Sequence, residues 1–445
     1  MTTLTVPSFN NPRVVRAWCL YDWANSVYSL VITSAIFPVY YKAVAVQGDG
    51  DWISFLGLTV QNSVLYSYAL SFSFLLVALM LPLLSGIADY SGRKKYFMKM
   101  FVAMGSMACI GLFFFEDVND LEWGIFCIVL ANIGYSGSLV FYDAFLPEIV
   151  SVDRYDATSA RGYSMGYYGS VLLLILCLLL ISYHRHVGFV DEGHAVRFTF
   201  LLVGIWWMGF STITFSYLPR NPYGKRPSGK IWYNGYRALI NVWRDIRSSP
   251  ALKKYLTSFF FFNMGVQTVM YLAVLFGTDV LALSSDKLIL TILLIQLVAA
   301  AGAWASARIS VLFGNKMVIL WMIGIWIGIC FCAYFIINEY QFYALAFAVG
   351  MVMGGIQSLA RATYAKLIPT HTSDHASYFS FYDVTYNISI VLGTFSFGLV
   401  NQLTGSMRNS ALVLAIFFVV AIGFLHSVRS ANIEKQELQP GIPPG

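Results

Sequence analysis

The chain has 445 residues, of which 58% are hydrophobic and 11% charged, and its mean hydropathy is +0.67. Soluble domains carry about 25% charged residues, so this composition excludes an ordinary soluble enzyme or binding module and points to a polytopic membrane protein. The formal charge of +6 is no nucleic-acid footprint, because its bases are concentrated in alternate loops.

Runs long enough to cross a bilayer, roughly 20 residues each, number about twelve. They lie near 16–41, 64–87, 96–115, 122–146, 162–183, 198–218, 255–280, 287–311, 316–337, 341–366, 377–401 and 409–429. The polar start, "MTTLTVPSFNNPR", lacks the apolar core and small-residue site of a cleaved signal peptide. Loops on the side of the chain's start carry Arg13 and Arg16, then Arg93, Lys94, Lys95 and Lys99, then Arg154 and Arg161. The longest, 219–254, holds nine bases, including Lys225, Arg226, Arg237 and Arg244, against Asp245 alone. Opposite loops are acidic, with Glu116, Asp117, Asp120 and Glu122 in one and Asp191 and Glu192 in another. The positive-inside rule places both termini in the cytoplasm. Topogenic charge accounts for the basic loop, which could also touch anionic lipid.

The expected architecture is all-α: residues 1–218 form one six-helix bundle, 219–254 a basic cytoplasmic linker, and 255–445 a second bundle with a short cytoplasmic tail. Traces of a duplication support the division. Gly314-Asn315-Lys316 echoes Gly92-Arg93-Lys94, and "TYAKLIPT" at the end of the tenth run echoes "YDAFLPEI" at the end of the fourth.

Polar residues within the runs fall on stripes. At about 100° per residue, Asp22, Asn25, Ser26, Ser29 and Thr33 share one face of the first run. The fourth has Asn132, Ser136 and Asp143; the seventh Asn263, Gln267 and Tyr271; the tenth Gly354, Gln357, Arg361 and Tyr364; the eleventh Ser380, Asp383, Asn387 and Thr394. Hydroxyls and amides of this kind often serve as interhelical glue. Ionisable groups are a different matter, because a charge at the bilayer centre costs a few kcal/mol. Asp22, Asp143, Arg361 and Asp383 are therefore candidates for a substrate or coupling site, or for a cytoplasmic gate, with Arg361 as counter-ion. Asp22 is expected roughly 9 Å inside the cytoplasmic end of its helix, at about 1.5 Å per residue. In "GIADYSGRKK", Asp89 ends a helix, Gly86 permits close packing, Gly92 permits a turn, and Arg93, Lys94 and Lys95 face the cytoplasm, together a breakable ionic latch.

Six cysteines lie within apolar runs without a CxxC, and read as buried free thiols. His184, His186, His194, His371 and His375 read as solvated loop residues. No metal site, cofactor site or catalytic constellation is expected, and no phosphate-binding loop is present that would supply nucleotide drive.

At Gly86, Asp89, Gly92, Arg93 and Lys94 the sequence resembles the major facilitator superfamily, which implies two six-helix bundles with the first and fourth helix of each lining a central cavity. The opening "YDWANSVYSLVITSAIFPVYY" resembles more narrowly the branch of autophagy-related vacuolar amino-acid effluxers and their bacterial relatives, through Tyr21 to Ser26, Phe37 and Pro38. "YDAFLPEI" and "GGIQSLARATYAKLIP" match through Leu146, Pro147, Gln357, Arg361, Leu367 and Pro369. "FYDVTYNISIVLG" fits with departures: relatives often have Gly-Lys at Tyr386-Asn387, Pro at Thr394, and Asn at Asp143. The resemblance implies a secondary transporter, not an enzyme, working as a monomer. It would move a small polar solute, amino acids among them, out of the cell by alternating access, coupled to protons or Na+. A bacterial plasma membrane is the expected setting, and a lipid translocase on the same fold is the alternative.

Overall fold

The computed structural model describes residues 9–45, 52–225, 227 and 230–429. The first eight residues, Arg226 and the tail from 430 lie outside the described residues. Among the described residues, twelve helical spans are long and apolar enough to cross a membrane: Pro12–Ala45, Val64–Ser91, Lys94–Phe114, Val118–Ile149, Val152–Ser182, Glu192–Tyr217, Pro250–Leu281, Asp286–Phe313, Asn315–Phe335, Glu339–Leu367, His375–Thr404 and Met407–His426. They are numbered spans 1 to 12. The chain is a multi-pass integral membrane protein. With an even number of spans, the start of span 1 and the end of span 12 share one face, the terminal face.

The packing repeats with an offset of six. Span 1 packs on spans 5 and 6, as span 7 does on 11 and 12. Span 4 packs on 2 and 3, as span 10 does on 8 and 9, and span 3 meets 6 as 9 meets 12. Contacts between the halves obey the same offset: span 5 meets 8 and 10, and span 11 meets 2 and 4. Small residues permit these approaches. A Cβ on Gly354 would sit 1.9 Å from the Ala299 carbonyl oxygen of span 8, so Gly354 serves span packing and does not face the cavity.

Span 1 is not a uniform α-helix. Its residues Pro12–Val27 are α-helical, Tyr28–Ile36 form a π-helix, and Phe37–Ala45 return to α. In the wide segment Ser34 Oγ donates to the Ser29 carbonyl over 2.8 Å, five residues back. Span 4 also breaks: its long helix stops at Asp143, and Leu146–Ile149 forms a separate turn started by Pro147. Between spans 1 and 2 a short hairpin pairs Trp52–Phe55 with Leu58–Gln61. Leu56 and Gly57 both have positive φ at its tip, the two-residue geometry that suits a twisted hairpin. Glu122 accepts from the Leu56 amide.

The linker contains a helix, Ile231–Ser248, that buries Gly235, Val242 and Ile246 and leaves Trp232, Tyr236 and Trp243 exposed. It lies on span 2, where the Gly235 carbonyl approaches the site of an added Gly86 Cβ to 2.4 Å. Five cysteines are buried as expected; Cys332 is exposed.

Candidate functional site

Asp22 is positioned by ten residues of α-helix from Pro12, roughly 15 Å at about 1.5 Å per residue. That is deeper than expected, because the helix begins at Pro12 rather than near residue 16. Asp143 is the last residue of the long helix in span 4. Arg361 reaches both from span 10: Nη1 donates to Asp143 Oδ1 over 3.0 Å and Nη2 to Asp22 Oδ2 over 3.3 Å. Ser159 of span 5 completes the set, its Oγ accepting from Nε at 2.9 Å and its carbonyl from Nη2 at 3.0 Å. Tyr142 donates to Asp22 Oδ2 at 2.8 Å.

This arrangement answers the cost of burial. A buried ion pair is tolerable only when its remaining donors and acceptors are satisfied. Here the Arg361 side chain is 2% exposed and makes four hydrogen bonds. Its guanidinium also lies over the rings of Tyr163, Trp18 and Tyr142, at 4.3, 4.9 and 5.5 Å from the centroids. Trp18 stacks on Tyr142 with centroids 4.4 Å apart, so the acid-bearing spans present one aromatic bed. Gly162 makes the geometry possible: a Cβ there would lie 2.4 Å from Asp22 Oδ2 and 3.1 Å from Arg361 Nη2.

The charged set floors a cavity of about 190 Å³ between the halves. Asp22, Asn25, Ser29, Asp143, Asn263, Gln267, Gln357, Arg361 and Asp383 all line it, as does Tyr271. The four ionisable candidates thus meet at one place. Several expected members lie elsewhere. Asn132 donates to Ser73 Oγ over 2.6 Å and ties span 4 to span 2. Tyr364 is buried in an aromatic stack with Tyr382 and donates to the Tyr378 carbonyl. Asn387 is buried behind Asp383 and donates to its Oδ2 over 2.7 Å. Thr33 is replaced on the cavity by Ser34, because a π-turn moves the facing position from the fourth residue after Ser29 to the fifth. Ser136, Ser380 and Thr394 are also absent from the cavity lining, and the latter two hydroxyls bond to carbonyls of their own helix.

Sequence reasoning missed span 5. Tyr163, Tyr167 and Ser170 line the cavity from it, and Tyr167 donates to Gln357 Oε1 over 2.7 Å across the halves. Their spacing in "YSMGYYGS" is the i, i+4, i+7 signal of one helical face, hidden because tyrosine reads equally as an interfacial residue. Tyr135, rather than Asn132, joins Asp143 in lining the cavity from span 4.

Two further polar clusters join the halves toward the terminal face. Asp156 receives Lys366 Nζ at 2.7 Å and Asn315 Nδ2 at 2.7 Å. Asp89 accepts from the amides of Ala376 and Ser377, at 3.2 and 2.7 Å, and from Ser377 Oγ at 2.8 Å. The second corrects the expected latch. Asp89 caps the start of span 11, where free amides and the helix dipole favour a carboxylate. Lys94 keeps a long ion pair with Asp89 at 3.9 Å and pairs more closely with Glu148. Lys94 and Lys95 are both buried, and Lys95 donates to the Leu218 carbonyl over 2.6 Å; only Arg93 of the three is exposed. Gly92 takes the left-handed turn at φ 67°. His375 is likewise not a solvated loop residue; it is 5% exposed and lies 3.0 Å from the Tyr223 hydroxyl. Tyr223, outside the spans, has its phenol pushed above its ordinary range by burial. Among the described residues no cluster of His, Cys, Asp and Glu is placed to hold a metal.

Residues 10–437 match the family model described as "Vacuole effluxer Atg22 like". A Bacillus subtilis protein described as the uncharacterized MFS-type transporter YxiO is 31% identical, covering 95% of this chain and 97% of that one. Autophagy-related protein 22-2 of Aspergillus clavatus is 22% identical, covering 89% of this chain and 79% of that protein. Among solved structures, the chain is similar to the transporter FucP in its outward conformation (TM-score 0.70, 11% identity, 94% of this chain and 99% of that one). It is also similar to the human organic anion transporter MFSD10 (TM-score 0.73, 13% identity, 94% and 99%). At these identities the structural likeness speaks for the fold, that of the major facilitator superfamily.

Proposed function

The chain belongs to the Atg22-like effluxer family, on the major facilitator fold, and from that premise we propose that it exports a small polar solute by proton-coupled alternating access. The observation that carries this reading is the Arg361 lock. One cation from the second half holds two carboxylates from the first, at the floor of the cavity the two halves share. Rocking the halves apart on the terminal face must pull Arg361 from Asp22 and Asp143 and bring water to all three.

The basic residues Arg93, Lys99, Arg154 and Arg161 lie on the terminal face and favour placing it, with both termini, in the cytoplasm. The lock then closes the inner face. A proton reaching Asp22 or Asp143 through the cavity removes a charge that holds Arg361 and loosens that closure. Release of the proton inward and loading of cargo restore the pairing on the return. Inward proton movement is thereby exchanged for outward solute movement. One chain supplies both walls of the cavity, so a monomer suffices. The Bacillus relative supports a bacterial plasma membrane as the setting.

Flux in proteoliposomes under an imposed pH gradient, with and without Na+, tests this. The expected result is solute movement that follows the proton gradient and is lost in Arg361→Ala. Flux indifferent to the gradient in both media would remove the coupling. Lipid scrambling without solute flux would favour the translocase on the same fold.

A further inference from the structure

The cavity's charges do not balance. Among the described residues, Asp22, Asp143 and Asp383 line it against one guanidinium and no lysine. Arg361 is engaged by both Asp22 and Asp143 and by Ser159, and has little left to offer a ligand. Asp383 stands apart from this set. Among the described residues its carboxylate is bonded by the neutral Asn387 amide, and no lysine, arginine or histidine forms an ion pair with it. It is 8% exposed, and that exposure opens on the cavity.

The walls around it are aromatic. Phe379, Tyr382 and Tyr386 line the cavity from the same face of span 11, at four residues before, one before and three after Asp383. Phe259 of span 7 stacks on Tyr382 with centroids 4.2 Å apart, fixing that wall. A carboxylate with only a neutral partner attracts a cation strongly where water is scarce, and ring faces add to that attraction. A ligand's carboxylate, by contrast, would have to take Arg361 from two existing partners. The cavity, about 190 Å³, is also smaller than the roughly 300–1,000 Å³ of sites for drug-sized ligands.

We propose that Asp383, with the rings of Phe379, Tyr382, Tyr386 and Phe259, binds the ammonium group of the cargo, and that the cargo is a small organic amine needing no carboxylate. This rests on the transporter reading above and narrows it. Amino acids would be held by their amino end, with the carboxylate contributing nothing favourable.

Thermal unfolding of the purified full chain tests it with four matched probes: phenethylamine, its trimethylammonium analogue, phenylalanine and phenylacetate. The two cations are expected to raise the melting temperature by several degrees. Phenylalanine should need at least tenfold higher concentration, and phenylacetate should do nothing. Asp383→Asn should abolish the shift while Asp383→Glu keeps part of it. Tyr386→Ala, which leaves the carboxylate in place, should weaken amine binding at least tenfold and serves if Asp383→Asn does not fold. Stabilisation by phenylalanine or phenylacetate equal to that by phenethylamine would overturn the assignment and leave the transporter reading standing. So would amine binding that survives in Asp383→Asn, or no response to either cation. Amine binding without flux in proteoliposomes would count against the transporter reading instead.

Discussion

Arg361 and Asp143 belong to opposite halves of the molecule, and their 3.0 Å contact closes the cavity floor. Removing the cation leaves Asp22 and Asp143 facing each other without compensation. Breaking one side of a buried pair costs about 3–5 kcal/mol. Arg361→Ala should therefore lower the melting temperature by several degrees and abolish transport. Arg361→Met combined with Asp22→Asn and Asp143→Asn should recover most of the stability and none of the coupled flux. Melting curves beside proteoliposome flux check both.

Gly162 separates steric from electrostatic causes. An added Cβ would intrude to 2.4 Å from Asp22 Oδ2, whereas one on Gly209 meets nothing within 4 Å. Gly162→Ala should cut transport at least tenfold with all charges intact, and Gly209→Ala should be silent. Equal effects from the two would mean that the space beside Asp22 is unimportant.

The π-segment predicts which hydroxyl meets the cavity. In a background without other reactive thiols, Ser34→Cys should be modified rapidly by a hydrophilic thiol reagent applied to the face opposite the termini. Thr33→Cys should react at least tenfold more slowly. The reverse order would restore an uninterrupted α-helix through span 1.

Asp89 and Asp156 hold the same face through different chemistry, one capping span 11 and the other pairing with Lys366. Losing a helix cap costs about 0.5–2 kcal/mol. Asp89→Ala should shift the population toward opening on the terminal face, read as faster amide exchange at the start of span 11. Asp156→Asn removes the carboxylate charge that draws Lys366 of span 10 to span 5 and should open the face further, with exchange rising at the end of span 10. Protection unchanged in both variants would leave Arg361 as the sole lock.

Much of this protein was legible from hydropathy and spacing alone. A bilayer core offers the backbone no water, so each apolar run of this length satisfies its own hydrogen bonds as a helix, and twelve runs already meant twelve spans. The cost of a buried charge singled out Asp22, Asp143, Arg361 and Asp383 without any knowledge of neighbours, and all four line one cavity. What local pattern could not carry was partnership. Asn132 and Gln357 look alike on a helical wheel, yet one bonds to span 2 within its half and the other to Tyr167 across the halves. Lys94 looks solvated in a basic loop until Glu148 is brought beside it from more than fifty residues away. The π-turn that replaces Thr33 with Ser34 leaves no mark in the hydrophobic period. Sequence determined which groups are too costly to face lipid; only tertiary packing decided which of them pay that cost with a partner, and left Asp383 to find its cation in the cavity.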